Sequence, residues 1–204
     1  MPEKAPIVTC ARHRLHTDGE GVTTLVCFYG CPLRCKWCIN PFTFAENTEY
    51  IVMTTEELYD KVRVDALYFE ATGGGITFGG GEPLLYPDFI KEFCEINKEW
   101  KYYVETSLSV DWENVEKVIP YIDWYLIDCK DVSPEIYKNY TGKDNTLMLS
   151  NLSRLIERVG AEKIRCRLPL IPEYNSEEDR KKSEKILKEI GIRDIDFFTY
   201  RTEQ

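Results

Sequence analysis

Three closely spaced cysteines are the residues of this chain with the clearest chemical potential. Cys31, Cys35 and Cys38 follow the pattern C-x3-C-x2-C, and an aromatic residue, Trp37, precedes the last of them. This spacing places three thiolates on one short loop, which suits a cubane iron–sulfur cluster whose fourth iron has no protein ligand. An iron without a protein ligand is free to bind a substrate or a cofactor directly.

Two other uses of the cysteines are open at this point. A structural zinc site normally has four ligands in two paired hairpins, and the sequence contains no second C-x2-C pair. Cys27, Cys31 and Cys35 form a rival ligand set, but that set leaves Cys38 without a role. The remaining cysteines of the later chain are expected to pack as small apolar side chains, and they are Cys94, Cys129 and Cys166.

A glycine-rich run, Gly79-Gly80-Gly81-Glu82, follows the second predicted strand. Glycines let a backbone approach a ligand closely, because no Cβ stands in the way. The run lacks the lysine and hydroxyl residue that complete a phosphate-binding loop. It predicts either a ligand-binding turn or an ordinary glycine-rich turn.

Two further strand ends carry charged residues. Glu105 and Thr106 end the third predicted strand, and Asp128 and Lys130 end the fourth. An acid and a lysine at one strand end can fix a zwitterionic ligand, because the lysine meets a carboxylate and the acid meets an ammonium or a cation. The alternative is a surface ion pair.

The elements that must position these residues alternate between strand and helix. Apolar and β-branched runs predict six strands, at 21–28, 76–78, 101–106, 124–129, 164–170 and 194–200. Capping residues and apolar periodicity predict helices at 54–67, 87–97, 112–118, 145–159 and 176–191, and a short one from 133. Leu58, Val62 and Leu67 occupy core-like positions of the first helix. Residues 1–20 are expected to form a strand or loop across the edge of the barrel.

Six alternating units predict a parallel α/β architecture. We expect one domain over residues 1–204, folded as an open, partial (β/α)6 TIM-like barrel whose site lies at the carboxyl ends of the strands. A doubly wound sheet is the alternative fold.

Composition limits the classes of protein. The 204 residues are 43% hydrophobic and 30% charged, which is typical of a soluble globular protein, and no apolar run is long enough to cross a membrane. A formal charge of −9 argues against nucleic-acid binding. The first residues lack the order of a signal peptide, so we expect a cytoplasmic protein whose eight cysteines are reduced thiols or ligands.

The cysteine motif, with Trp37 as its aromatic position, resembles the signature of the radical S-adenosylmethionine (SAM) superfamily. The longer string from Asp18 to Pro41 resembles the glycyl-radical-enzyme activating enzymes. This resemblance implies the radical SAM fold and a 4Fe–4S cluster bound by Cys31, Cys35 and Cys38. The SAM contacts that it implies are Trp37, Gly79, Gly80, Gly81, Glu82, Glu105, Thr106, Asp128, Lys130, Arg167 and Arg201, with Lys130 and Asp128 as the catalytic pair.

The resemblance also implies an activity. Reductive cleavage of SAM would give a 5′-deoxyadenosyl radical, which abstracts hydrogen from a glycine of a partner glycyl radical enzyme. It implies an oxygen-sensitive oxidoreductase that is a monomer, takes electrons from reduced flavodoxin or ferredoxin, and binds a monovalent cation at Asp128 and Glu105. The family's usual histidine and its Asp-Gly-Pro-Gly-Ile-Arg string are altered here at Ile39, Glu20 and Thr23. Alternatives are a radical SAM enzyme acting on a peptide or small molecule, and a non-catalytic iron–sulfur carrier or sensor.

Overall fold

Six parallel strands in chain order form most of the sheet in the computed structural model, which describes residues 2–200. The sheet order is β3-β1-β2-β4-β5-β6-β7-β8, so strand order follows chain order from β2 onwards. A doubly wound sheet would reverse its order at a switch point. The prediction of a partial barrel is therefore confirmed. The parallel strands are β2 (Val22–Phe28), β4 (Gly75–Gly80), β5 (Lys101–Thr106), β6 (Trp124–Asp128), β7 (Ile164–Leu170) and β8 (Asp194–Thr199).

Two antiparallel strands extend one edge of the sheet. β1 (Lys4–Leu15) pairs with β2, which agrees with the strand or loop expected there, and β3 (Ile51–Thr54) pairs with β1. β3 was not predicted, because it is only four residues long and its Ile51 and Val52 are exposed. A strand of this kind is defined by its pairing with a distant segment, which a local pattern does not contain.

Seven helices flank the sheet over the described residues. They are α1 (Thr55–Val62), α2 (Ala66–Thr72), α3 (Pro87–Ile96), α4 (Trp112–Val118), α5 (Pro134–Thr141), α6 (Thr146–Val159) and α7 (Glu177–Ile190). α1 begins with the predicted capping box, in which Thr54 and Glu57 each accept a hydrogen bond from the other's backbone amide. Buried aromatic and aliphatic side chains fill the space between helices and sheet. None of these helices is long and apolar enough to span a membrane.

The predicted helix at 54–67 was wrong in one respect, because it is two helices separated by a 3-10 turn. The turn carries Asp65, which is fully buried. Its carboxylate accepts hydrogen bonds from Arg12 Nε at 2.8 Å and from Thr24 Oγ1 at 3.0 Å. Because the helix is interrupted at this turn, the residues after it do not continue the buried face of α1. Leu67 is therefore 74% exposed, whereas Leu58 and Val62 are buried as expected.

Candidate active site

The cysteine loop, residues 30–41, follows β2 at the carboxyl end of the sheet. Two backbone hydrogen bonds fix its middle. The amides of Arg34 and Lys36 donate to the carbonyls of Thr141 and Tyr140, at 2.9 and 3.1 Å. These acceptors are the last two residues of α5, where carbonyls have no partner within the helix. Cys35, between the two donors, is thereby held against the last turn of α5.

A cavity of about 540 Å³ opens at the carboxyl ends of the parallel strands. All three predicted cluster ligands, Cys31, Cys35 and Cys38, line it and are half-buried free thiols. Burial raises the pKa of Cys31 to about 12 and the pKa of Cys35 to about 11. Binding of a metal must therefore displace these protons. The other predicted site residues that line the cavity are Gly80, Gly81, Glu82, Glu105, Thr106, Asp128, Lys130 and Arg167.

Some predicted residues lie elsewhere. Trp37 and Gly79 do not line the cavity, and Arg201 lies outside the described residues. Cys27, of the rival ligand set, is buried on β2 and is also absent from the cavity lining. The three lone cysteines are buried as expected, and they are Cys94, Cys129 and Cys166.

A single-ion site finds no support in the geometry. Within residues 2–200, no group of three or more His, Cys, Asp or Glu side chains is arranged to hold one metal ion. A 4Fe–4S cluster does not require the three cysteines that line the cavity to surround one ion, because each thiolate binds its own iron. The zinc alternative therefore has no ligand set among the described residues.

The glycine run packs against β2 and the cysteine loop. Gly80 has a φ of +85°, and a Cβ added there would lie 2.6 Å from Cys27 Cα. A Cβ added at Gly81 would lie 2.2 Å from the carbonyl oxygen of Gly30. The amide of Glu82 donates to that same carbonyl at 2.8 Å. Gly80 and Gly81 thus allow two backbones to pack closely against each other. Both also line the cavity, and their contact with a ligand stays a prediction.

We expect Gly80→Ala to destabilise the cluster-free protein by about 2 to 4 kcal/mol, because it combines left-handed backbone strain with overpacking. Gly73→Ala is the matched control. Gly73 has a φ of +68°, but no atom lies within 4 Å of its added Cβ, so it should lose only about 1 to 2 kcal/mol from backbone strain. Urea unfolding under anaerobic conditions measures both, and equal losses in the two variants would contradict the packing role of Gly80.

Glu82 is buried, with 1% of its surface exposed. Its carboxylate accepts hydrogen bonds from Thr106 Oγ1 at 2.6 Å, from Ser107 Oγ at 2.7 Å and from the Ser107 amide at 3.0 Å. Burial nevertheless raises the pKa of Glu82 above its usual value, because these neutral donors only partly compensate for lost water. A cationic ligand in the cavity would supply the missing charge. Ser107 was not among the predicted site residues.

The ends of β5, β6 and β7 bring opposite charges together. Arg167 Nη2 lies 2.7 Å from Glu105 Oε1, and Arg167 Nη1 lies 3.9 Å from Asp128 Oδ1. Lys130 Nζ donates to Asp128 Oδ2 at 2.9 Å and to the Tyr200 hydroxyl at 3.0 Å. Burial disfavours the charged forms of both Lys130 and Asp128. Each nevertheless stabilises the charge of the other, because Asp128 raises the pKa of Lys130 and Lys130 lowers the pKa of Asp128. Lys130 therefore remains an ammonium at the cavity wall.

Two contributors to this wall were missed by the sequence interpretation. Tyr200 follows β8 and lines the cavity, so the rule that sites lie at carboxyl ends of strands could have found it. Arg14, near the end of β1, and Asp18, in the loop between β1 and β2, also line the cavity and form an ion pair. Thr77 Oγ1 donates to the carbonyl of Asp18 at 2.9 Å, which anchors the loop to β4.

Comparison with known proteins identifies this arrangement of strands and cavity. The sequence profile of the Radical SAM superfamily matches residues 25–196, which is most of the chain. The chain belongs to the radical SAM superfamily. Its curated relatives include a pyruvate formate-lyase-activating enzyme from Clostridium pasteurianum, 33% identical over 91% of this chain and 78% of the relative. A (2S)-3-sulfopropanediol dehydratase activating enzyme from Klebsiella oxytoca is 29% identical over 84% of this chain and 73% of the relative. Within the superfamily, the chain is thus a glycyl-radical-enzyme activating enzyme.

Solved structures of radical SAM proteins share the fold. QueE from Escherichia coli superposes with a TM-score of 0.62, with 14% identity, over 97% of this chain and 84% of that one. Streptococcus suis SuiB bound to S-adenosylmethionine gives a TM-score of 0.65 with 16% identity, over 86% of this chain and 39% of that one. At these identities the likeness concerns the fold alone, and it agrees with an open parallel barrel.

The superfamily implies a 4Fe–4S cluster and SAM, and the residues of the cavity fit both. Three thiols line its wall beside the ammonium of Lys130 and the buried carboxylate of Glu82. A buried hydrogen-bond donor next to Cys38, Trp37 Nε1, has no partner among the described residues. Buried donors normally have partners, so this orphaned group agrees with a polar group that binds here.

Proposed function

We propose that this radical SAM protein activates a glycyl radical enzyme through the cavity at the carboxyl ends of β2 to β8. Cys31, Cys35 and Cys38 would hold a 4Fe–4S cluster, and SAM would bind beside it. With one electron from a reductant, the bound groups would supply methionine and a 5′-deoxyadenosyl radical, the species that would take a hydrogen atom from a glycine Cα of the partner. The observation that carries the proposal is that three thiols, a buried carboxylate and an ammonium line one cavity.

The chain's own residues would orient SAM by charge. Glu82 accepts a hydrogen bond from the ammonium of SAM, because it is a buried acid and no basic side chain is among its hydrogen-bond partners. Lys130 binds the carboxylate of SAM, and Asp128 holds Lys130 in place and charged. Lys130 and Asp128 are therefore our candidates for the catalytic pair. Arg167, held by Glu105, extends this wall toward β7.

The charge of the cavity supports a cationic ligand. Its lining includes five carboxylates against three cationic side chains. SAM carries a sulfonium and an ammonium against one carboxylate, so it has a net positive charge. Electrostatic complementarity of this kind favours SAM over an anionic ligand.

A monovalent cation beside the SAM carboxylate, at Asp128 and Glu105, is part of the proposal. Arg167 already contacts both acids, so a further cation is favoured only when SAM adds its own carboxylate. We expect potassium to tighten SAM binding at least threefold relative to tetramethylammonium at equal ionic strength, measured by anaerobic calorimetry. Equal affinities in the two salts would contradict the cation site.

The proposal also covers the electron donor, the cellular compartment and the oligomeric state. Reduced flavodoxin or ferredoxin would donate the electron, and the exposed Arg34 and Lys36 beside Cys35 suit an acidic donor protein. The eight free cysteines suit the reducing cytoplasm. We propose that the enzyme acts as a monomer toward its partner, which sedimentation of the purified protein measures.

The experiment that tests the proposal is anaerobic reconstitution with iron and sulfide, followed by SAM and a strong reductant. We expect about four irons per chain, and 5′-deoxyadenosine and methionine as products. A cluster without deoxyadenosine would indicate an electron carrier or sensor. Deoxyadenosine without a radical on any glycyl radical enzyme would instead indicate a peptide or a small molecule as substrate.

A further inference from the structure

The ammonium of Lys130 is held from two sides. Lys130 follows β6, and only 8% of its surface is exposed. Its Nζ donates to Asp128 Oδ2 at 2.9 Å and to the hydroxyl of Tyr200 at 3.0 Å. An ammonium has three N–H donors, and within residues 2–200 these are the two hydrogen bonds that Nζ makes. The third donor is left for an acceptor that enters the cavity, which Lys130 lines.

The two partners of Lys130 make different contributions. Asp128 supplies negative charge from the end of the same strand, whereas the neutral hydroxyl of Tyr200 comes from the end of β8, two strands away in the sheet. A lysine side chain is flexible and has high rotamer entropy. Because its two hydrogen bonds lead to different strands, the ammonium is restricted to one position. The main effect of Tyr200 is therefore to fix a direction.

Tyr200 is itself held firmly enough to do this. Its backbone amide donates to the carbonyl of Leu170 at 3.0 Å, which continues the pairing of β7 and β8 by one residue. Its ring packs edge-to-face on Phe198, with centroids 5.3 Å apart and an angle of 72° between the planes. The position of the hydroxyl is thus set by β8, and the flexible lysine adapts to it.

We propose that Tyr200 is a positioning residue for SAM: its hydroxyl and Asp128 occupy two donors of the Lys130 ammonium, and the third is thereby directed at the carboxylate of SAM. Two fixed N–H directions on a tetrahedral nitrogen leave one direction for the third. A lysine oriented in advance loses less side-chain entropy when the ligand binds, which raises affinity. This inference rests on the proposed binding of SAM by Lys130.

The test compares two ligands on cluster-loaded protein by anaerobic calorimetry. Tyr200→Phe removes the hydroxyl and keeps the ring. We expect this variant to retain its iron and to bind SAM about three- to tenfold more weakly, which corresponds to one hydrogen bond of ordinary strength. Decarboxylated SAM, which has no carboxylate for Lys130 to bind, should have the same affinity for the wild type and for Tyr200→Phe. Equal weakening of both ligands would refute the proposal, because it would indicate a general disturbance of the cavity.

A double-mutant cycle tests whether Tyr200 acts through Lys130. In a Lys130→Met background, Tyr200→Phe should cause no further loss of affinity for SAM, since the side chain that it orients is absent. The same three- to tenfold loss in that background would refute the positioning role, because Tyr200 would then contact SAM directly. If Lys130→Met binds SAM too weakly to measure, the comparison with decarboxylated SAM decides alone.

Tyr102→Phe is the matched control. Tyr102 is a buried tyrosine of β5 whose hydroxyl donates to the carbonyl of Asn97 at 2.5 Å, and it does not line the cavity. Loss of this hydroxyl should lower the Tm without changing the affinity for SAM. A loss of affinity as large as that of Tyr200→Phe would contradict the specific role of Tyr200, because stability alone would then explain both results.

The outcomes separate this inference from the proposed function. If the cluster-loaded wild type does not bind SAM, the proposed function fails, and the role of Tyr200 fails with it. If the wild type binds SAM and decarboxylated SAM equally well, the contact between Lys130 and the carboxylate is refuted together with the role of Tyr200. If the wild type prefers SAM and Tyr200→Phe prefers it by the same factor, only the role of Tyr200 is refuted.

Discussion

Cys35→Ala is expected to abolish both cluster binding and SAM cleavage. Cys35 lies between two backbone hydrogen bonds to α5 and lines the cavity with Cys31 and Cys38. Loss of one of three thiolates leaves a second iron of the cluster without a protein ligand. We expect the iron content after anaerobic reconstitution to fall to background, and deoxyadenosine formation to fall below detection.

Cys94→Ala is the control for this result. Cys94 is buried in α3, away from the cavity lining, so its loss should cost only about 1 to 3 kcal/mol of packing. Full iron content in Cys94→Ala, together with none in Cys35→Ala, would support the ligand assignment. Equal loss of iron in both variants would refute it.

Glu82→Gln is expected to retain the cluster but weaken SAM binding by about 10- to 100-fold. A charge-assisted hydrogen bond to an ammonium contributes about 1.5 to 3 kcal/mol, and the amide removes the charge. The loss of affinity should depend on pH. Because burial raises the pKa of Glu82, the wild type should bind SAM less well as the pH falls through that raised pKa, whereas the affinity of Glu82→Gln should depend less on pH.

Asp65→Asn provides a matched comparison for Glu82→Gln. Asp65 is also a buried, hydrogen-bonded carboxylate, but it contacts Arg12 and Thr24 and does not line the cavity. It should lower stability without changing the affinity for SAM. Binding is measured by anaerobic calorimetry on cluster-loaded protein, and weakening of similar size in both variants would show that Glu82 acts through stability alone.

The parallel strands and the cysteine loop were predictable because their signals are local. β5, α4 and β7 have the predicted bounds, since the apolar pattern that defines each of them lies within its own segment. The spacing of Cys31, Cys35 and Cys38 predicted the loop at the first strand end. Parallel topology then predicted that Glu82, Glu105 and Asp128 would meet at the same edge of the sheet.

Features that depend on distant partners were not predictable in this way. The break at Asp65 depends on Arg12 and Thr24, which lie more than 40 positions earlier in the chain. The two backbone hydrogen bonds that flank Cys35 depend on the last turn of α5, about a hundred residues later in the chain. Polar residues such as Tyr140 and Tyr200 carry no motif of their own. Their position becomes informative only after the sheet is assembled.

The measurement that tests the central claim most directly is the transfer of the radical to a partner. The reconstituted enzyme, SAM and a strong reductant are incubated anaerobically with candidate glycyl radical enzymes, and the radical signal is recorded by electron paramagnetic resonance. We predict a glycyl radical on the partner, formed together with deoxyadenosine and absent with Cys35→Ala. Deoxyadenosine formation with no radical on the partner would contradict the proposed activity, and the absence of both from a fully loaded enzyme would contradict SAM cleavage at this cavity.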